Sequence, residues 1–199
     1  MDELTLHVPI IEYFNSFEQL GVPLQLCMFK YGNYSDQYLI SQKAARLAMD
    51  HFSNAGNVLK GKEPAGHRIN FQEFIGKAYN IEKEELSIYT YSEGGGMSMT
   101  LNDQGLAVAL LTPPYGLDLN LRNRPSSPGY GKEHAMTLKM LFLKFCDQIL
   151  DLQDLSKGEE FIIYRWSQDW SSYFDKYFIW QNPYWTIMDE EKQLIYVLG

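Results

Sequence analysis

Residues 184 to 199 read YWTIMDEEKQLIYVLG, two runs of aromatic and β-branched residues parted by the polar quartet DEEK. This pattern predicts two antiparallel strands joined by a short turn. A lone hairpin is marginal in water, so it demands further strands and a cover for its apolar face. The chain offers both. FIIYRW, residues 161 to 166, reads as a strand, and LSIYTYS, MSMTL and LAVALLT read as three more. They are joined by EGGG and NDQG, whose glycines suit the positive φ of tight turns.

Helical periods dominate elsewhere. Residues 9 to 20 carry Ile10, Phe14 and Phe17 at helical spacing, with Gly21 and Pro23 as stop signals. From Asp36 to about Lys60 a longer helix is predicted, with Ile40, Ala44, Leu47, Ala48 and Ala55 on one face. Asn70, Glu73 and the pair Ile69 and Phe74 mark a third helix start, with Phe71, Phe74, Ile75 and Ala78 inward. Residues 133 to 153 form the most apolar helix, with Leu138, Leu141, Phe142, Phe145, Ile149 and Leu152 in a wide stripe. The expected class is α+β, with a mainly antiparallel sheet of about six strands and segregated helices. A single domain over 1–199 is expected, with a helical N-terminal part through residue 80 and a sheet-rich part from 81 to 199.

Charge narrows the partners. Lys and Arg number 17 against 25 Asp and Glu, a net charge of −8, and beyond residue 125 there are 11 acids to 7 bases. Nucleic-acid affinity comes largely from basic side chains neutralising phosphates, so this balance argues against it. MDELTLHVPI lacks the basic start and apolar run of a secretory signal, and LAVALL is too short to span a bilayer. A cytoplasmic protein without membrane contact is expected. Cys27 and Cys146, each within an apolar stretch, read as reduced core thiols.

No motif announces chemistry. His7, His51, His67 and His134 stand apart, and their acidic neighbours Asp50 and Glu133 point about 100° away on a helix. No metal site, cofactor or catalytic residue is therefore assigned. No Ser stands in a G-x-S-x-G elbow, and the Gly94-Gly95-Gly96 run precedes a strand rather than a helix, which fits a hairpin tip. The stretch from residue 112 to 132 is the longest without a period and holds Pro113, Pro114, Pro125 and Pro128. Within it Arg122, Arg124 and Lys132 form a small cationic patch able to grip a carboxylate or phosphate, on a loop of the kind that carries binding.

All four tryptophans lie between residues 166 and 185. Trp166 and Trp185, at strand ends, are expected in the core. Trp170, Tyr173, Phe174 and Tyr177 repeat at helical spacing, which core packing alone could explain. The functional alternative is a contact surface: Trp170 and Trp180 reaching solvent with Tyr173, Tyr177, Asp169 and Asp175, an aromatic and weakly negative face suited to a basic protein. The leading functional expectation is an acidic protein-binding module that covers a site on a partner, as inhibitors, immunity proteins and antitoxins do. Two others stand beside it. One is a small enzyme or ligand binder with a pocket between the 112–132 loop and the 166–185 segment, and the other is a subunit of a larger assembly.

Overall fold

The computed structural model describes residues 4–6, 24–52, 60–87, 89–91, 97–99, 103, 105–111, 130–176 and 183–199. In chain order the elements begin with β1 (Thr5–Leu6), β2 (Leu26–Lys30), α1 (Gln37–His51), β3 (Gly66–Ile69) and α2 (Phe71–Ile75). Then come β4 (Tyr79–Asn80), β5 (Glu85–Leu86), β6 (Tyr89–Tyr91), β7 (Met97–Met99), α3 (Leu106–Leu111) and α4 (Tyr130–Leu150). A 3-10 turn at Leu155–Glu160, β8 (Ile162–Trp166), a second at Ser172–Lys176, β9 (Trp185–Asp189) and β10 (Leu194–Leu198) complete the series. Two compact units emerge. The first joins residues 1–12, 25–71 and 159–199, and the second joins 13–24 and 72–158.

The first unit holds a six-stranded antiparallel sheet in the order β1-β2-β10-β9-β8-β3. The class is α+β, as the pattern of elements implies. The hairpin of residues 184–199 forms β9 and β10, paired from Leu194 opposite Asp189 to Leu198 opposite Trp185. FIIYRW supplies β8. The remaining strands, β1, β2 and β3, come from the first 80 residues, where no strand was expected.

Strand alternation puts Cys27, Phe29, Ile162, Tyr164, Trp166, Met188, Ile195 and Val197 on one face, and α1 lies across it. Ile40, Ala44, Ala45, Ala48 and Met49 are its buried side. Three alanines let the helix axis approach the sheet closely, and each fully buried Ile or Met contributes about 1.5 to 3 kcal/mol. Asp36 starts the helix by accepting the N–H groups of Tyr38 and Leu39, both at 3.0 Å. The helix stops at His51, short of the expected Lys60, because Phe52 turns into the core, where it is 3% exposed. On the other face Met28, Ile163, Trp185, Ile187, Tyr196 and Leu198 are buried as well. At the edge strand, Gly66 lies opposite Trp166, and a Cβ there would sit 2.5 Å from Trp166 Cε3. Only glycine fits beneath that indole.

In the second unit α4 spans Tyr130–Leu150, three residues earlier than expected, and buries Leu138, Phe142, Phe145 and Ile149. Tyr79 packs against Phe142 with the rings tilted by 42° and centroids 4.9 Å apart. The third expected helix shrinks to the five residues of α2, because Gly76 adopts φ +91 and ends it. β6 and β7 pair as the sequence implies, but as a sheet of their own. LAVALLT is not a strand. Leu106, Ala107, Leu110 and Leu111 are buried at helical spacing in α3, and Ala109 donates its N–H to the Gly105 carbonyl at 3.0 Å. A short apolar run has no period that separates a buried helix from a buried strand, and Leu and Ala then favour the helix. The helix expected over residues 9–20 falls outside the described residues.

Candidate functional site

The aromatic crossover that follows β8 is the first place to look. Trp170 is fully buried and Tyr173 is 6% exposed. Trp170 sits edge-on to Phe174 and Tyr184, at 5.7 and 5.8 Å, and its indole N–H donates to the Ser167 carbonyl at 2.6 Å. Phe52 packs on Tyr173 and Tyr184. The expectation that Trp170 and Tyr173 face a partner is therefore corrected. A change of chain direction need not mean exposure: the 3-10 turn at Ser172–Lys176 folds these rings back under the sheet, where the Trp170 N–H finds a backbone acceptor. Trp166 and Trp185 are core, as expected, at 3% and 1% exposure.

The two acids of the crossover remain outside but are engaged. Asp169 pairs with Lys62 and Asp175 with Lys60, each at 2.7 Å, and the Lys60 N–H donates to the Trp170 carbonyl at 2.9 Å. The hydrogen bond from Lys62, then that from Ser167, lowers the Asp169 carboxyl below its ordinary value. These pairs clamp residues 60–62 onto the crossover. Tyr177, Trp180, Arg122 and Arg124 lie outside the described residues. Lys132 stands in the first turn of α4, so it belongs to the helix and not to the preceding loop.

Buried thiols offer no nucleophile. Burial pushes Cys27 up to about 12 and Cys146 further still. His51 and His67 are exposed, and among the described residues no group of three His, Cys, Asp or Glu converges to hold a metal ion. Nor, among them, is any helix long and apolar enough to cross a membrane.

A different place does carry the form of a site. Where β2 ends, residues 31–35 run toward the Asp36 cap beside the turn that joins β9 to β10, and between them opens a notch of about 500 Å³. Tyr31, Asn33, Tyr34, Ser35, Glu190 and Gln193 line it. The two sides are tied together. The Tyr31 N–H donates to the Gln193 carbonyl at 3.1 Å, and Gln37 Nε2 donates to Glu190 Oε1 at 2.7 Å. Gln193 holds a left-handed φ of 54, and Asp189 fixes the turn by accepting the Lys192 N–H at 3.0 Å.

Tyr31 and Tyr34 are each partly buried against the core cluster and also line the notch. Burial, then the carboxylates of Glu190 and Asp189, push the Tyr31 phenol above its ordinary value. Rings with electron-rich faces beside a carboxylate make a receptor for a cation. YGNYSD, residues 31 to 36, carries no motif of its own. The signal it does offer is two tyrosines flanking turn-forming residues, with a helix cap behind them. No family model matches the chain, no curated protein matches it, and no solved structure matches it.

Proposed function

We propose that the chain is an acidic protein-binding module that covers a site on a basic partner, in the manner of an inhibitor, immunity protein or antitoxin. The observation that carries the reading is the notch, where two anchored tyrosines and Glu190 combine aromatic area with negative charge. Aromatic anchors in a concave setting are what protein partners exploit most, and charge complementarity steers their encounter. Four carboxylates, Asp36, Asp189, Glu190 and Glu191, lie in the two segments that form the notch and their flanks, against Lys30 and Lys192. The net charge of −8 extends that field over the molecule, which favours a basic partner.

The test is capture followed by reconstruction. The full chain is immobilised, exposed to lysate of its native host, and each retained protein is purified and mixed with it at equal concentration. A complex that re-forms from the two pure proteins and lowers the partner's own activity supports the proposal. A complex that leaves that activity unchanged retains protein binding and removes the inhibitory role. If no retained protein re-forms a complex, the module reading is wrong.

A further inference from the structure

The notch also has a chemical preference. We infer that it receives one arginine side chain of the partner, with the guanidinium lying against Tyr31 and Tyr34 and donating to Glu190; this rests on the protein-binding reading above and names its contact.

Three observations converge on that occupant. The first is charge. The positive end of α1 lies close by, but Asp36 already accepts the N–H groups of Tyr38 and Leu39, so that end is answered within the protein. Glu190 remains as the acidic group lining the notch. Lys192, the nearest base in sequence, is drawn toward Asp189, with Nζ 3.2 Å from its carboxylate. A cation entering the notch therefore meets a carboxylate whose neighbouring lysine is already engaged.

The second observation is the orientation of Glu190. Gln37 Nε2 donates to Oε1 at 2.7 Å, which orients the carboxylate, and among the described residues no donor reaches Oε2. Fixing it beforehand removes part of the ordering cost of binding. The third is the variety of acceptors. Asn33, Ser35 and Gln193, residue types whose side chains carry an oxygen acceptor, line the notch with the two tyrosines. An ammonium is a compact point charge with three donors, whereas a guanidinium is a plate with five, able to stack on a ring while bonding several acceptors in its plane. A notch of about 500 Å³ lies within the usual size of ligand sites and is far roomier than a lone ammonium needs.

The experiment uses isotope-labelled full chain and blocked tripeptides Gly-Arg-Gly, Gly-Lys-Gly and Gly-citrulline-Gly, followed by amide chemical shifts. Citrulline keeps the shape of arginine and removes its charge. The arginine peptide is expected to bind saturably with millimolar affinity, shifting the amides of residues 31–35 and 190–193. The citrulline peptide should bind at least about tenfold more weakly, and lysine should fall between them. Glu190→Gln should bring arginine down to the citrulline level, and Tyr34→Leu, which keeps an apolar anchor, should weaken it about two- to fivefold.

Equal binding of citrulline or lysine, shifts that map elsewhere, or no saturable shift at about 50 mM peptide would each overturn the assignment. The peptide comparison on the unaltered chain stands even if a variant fails to fold. The two proposals fail separately. A host partner that re-forms equally well with Glu190→Gln sinks the arginine notch and leaves the module. Arginine binding at the notch with no host partner sinks the module and leaves the notch.

Discussion

Replacing Trp170 by alanine separates a structural crossover from a contact surface more sharply than any other change. The indole is fully buried and lies edge-on to Phe174 and Tyr184. Truncation removes on the order of 150 Å² of buried apolar surface, worth about 4 kcal/mol at 25 cal/mol per Å². It also strips the Ser167 carbonyl of its donor at 2.6 Å, adding about 1 kcal/mol. The sum, about 5 kcal/mol, reaches the upper end of large-to-small core substitutions and is a large share of the stability of a domain this size. Trp170→Phe keeps most of the area and loses the N–H bond, so it should cost only about 1 to 2 kcal/mol. Urea unfolding followed by far-ultraviolet circular dichroism measures both, with an unchanged slope showing that the compared states are the same. If Trp170→Ala costs under about 1 kcal/mol, the ring is not in the core and the burial argument collapses.

Gly76→Ala should destabilise the second unit by about 2 to 4 kcal/mol, since the residue holds φ +91 and a Cβ would meet Asp103 Oδ1 at 2.6 Å; a melt within a degree of the parent refutes this. Ser41→Ala should leave the melting temperature unchanged or raise it, because the buried hydroxyl has no hydrogen-bond partner among the described residues, and a clear drop would show that it has one. Alkaline pH should destabilise the protein, in part through Cys27. Below pH 9.0 the thiol is neutral folded and unfolded, so stability is full; between 9.0 and about 12 only the unfolded thiol ionises, and about 4 kcal/mol is lost. In denaturant titrations across that range, Cys27→Ala should flatten the fall by about 1.4 kcal/mol per pH unit, and an unchanged slope counts against it. Within the notch, Glu190→Gln should weaken the arginine tripeptide at least about tenfold, read by amide shifts.

What the sequence disclosed depended on how local its causes were. β8, β9 and β10 were legible because alternation, β-branched residues and a polar turn all act within a few positions. The core placement of Trp166 and Trp185 followed from the same runs. β2 and β3 are not legible locally because each takes its meaning from a distant partner, Leu26 from Leu198 and Ile69 from Ile163. α3 was misread because a fully buried run carries no polar face to betray its period. Trp170 was misplaced because burial of a crossover depends on the path of the chain around it. The notch draws on residues 31–35 and 190–193, and no local pattern joins segments so far apart.

The place of β10 in the sheet also dictates an order of events during synthesis. β10 lies between β2 and β9, and its pairing with β2 spans about 170 residues of chain. At roughly 5 to 20 residues per second, the apolar strand LCMFK spends about 10 to 30 s on the nascent chain before its neighbour exists. The first unit cannot close in that interval, whereas residues 72–158 of the second have already been made. The newborn protein thus carries β2 with the edge that β10 will fill still open past the completion of that segment, and holdase chaperones that shield such edges should bind it most strongly until residue 198 emerges.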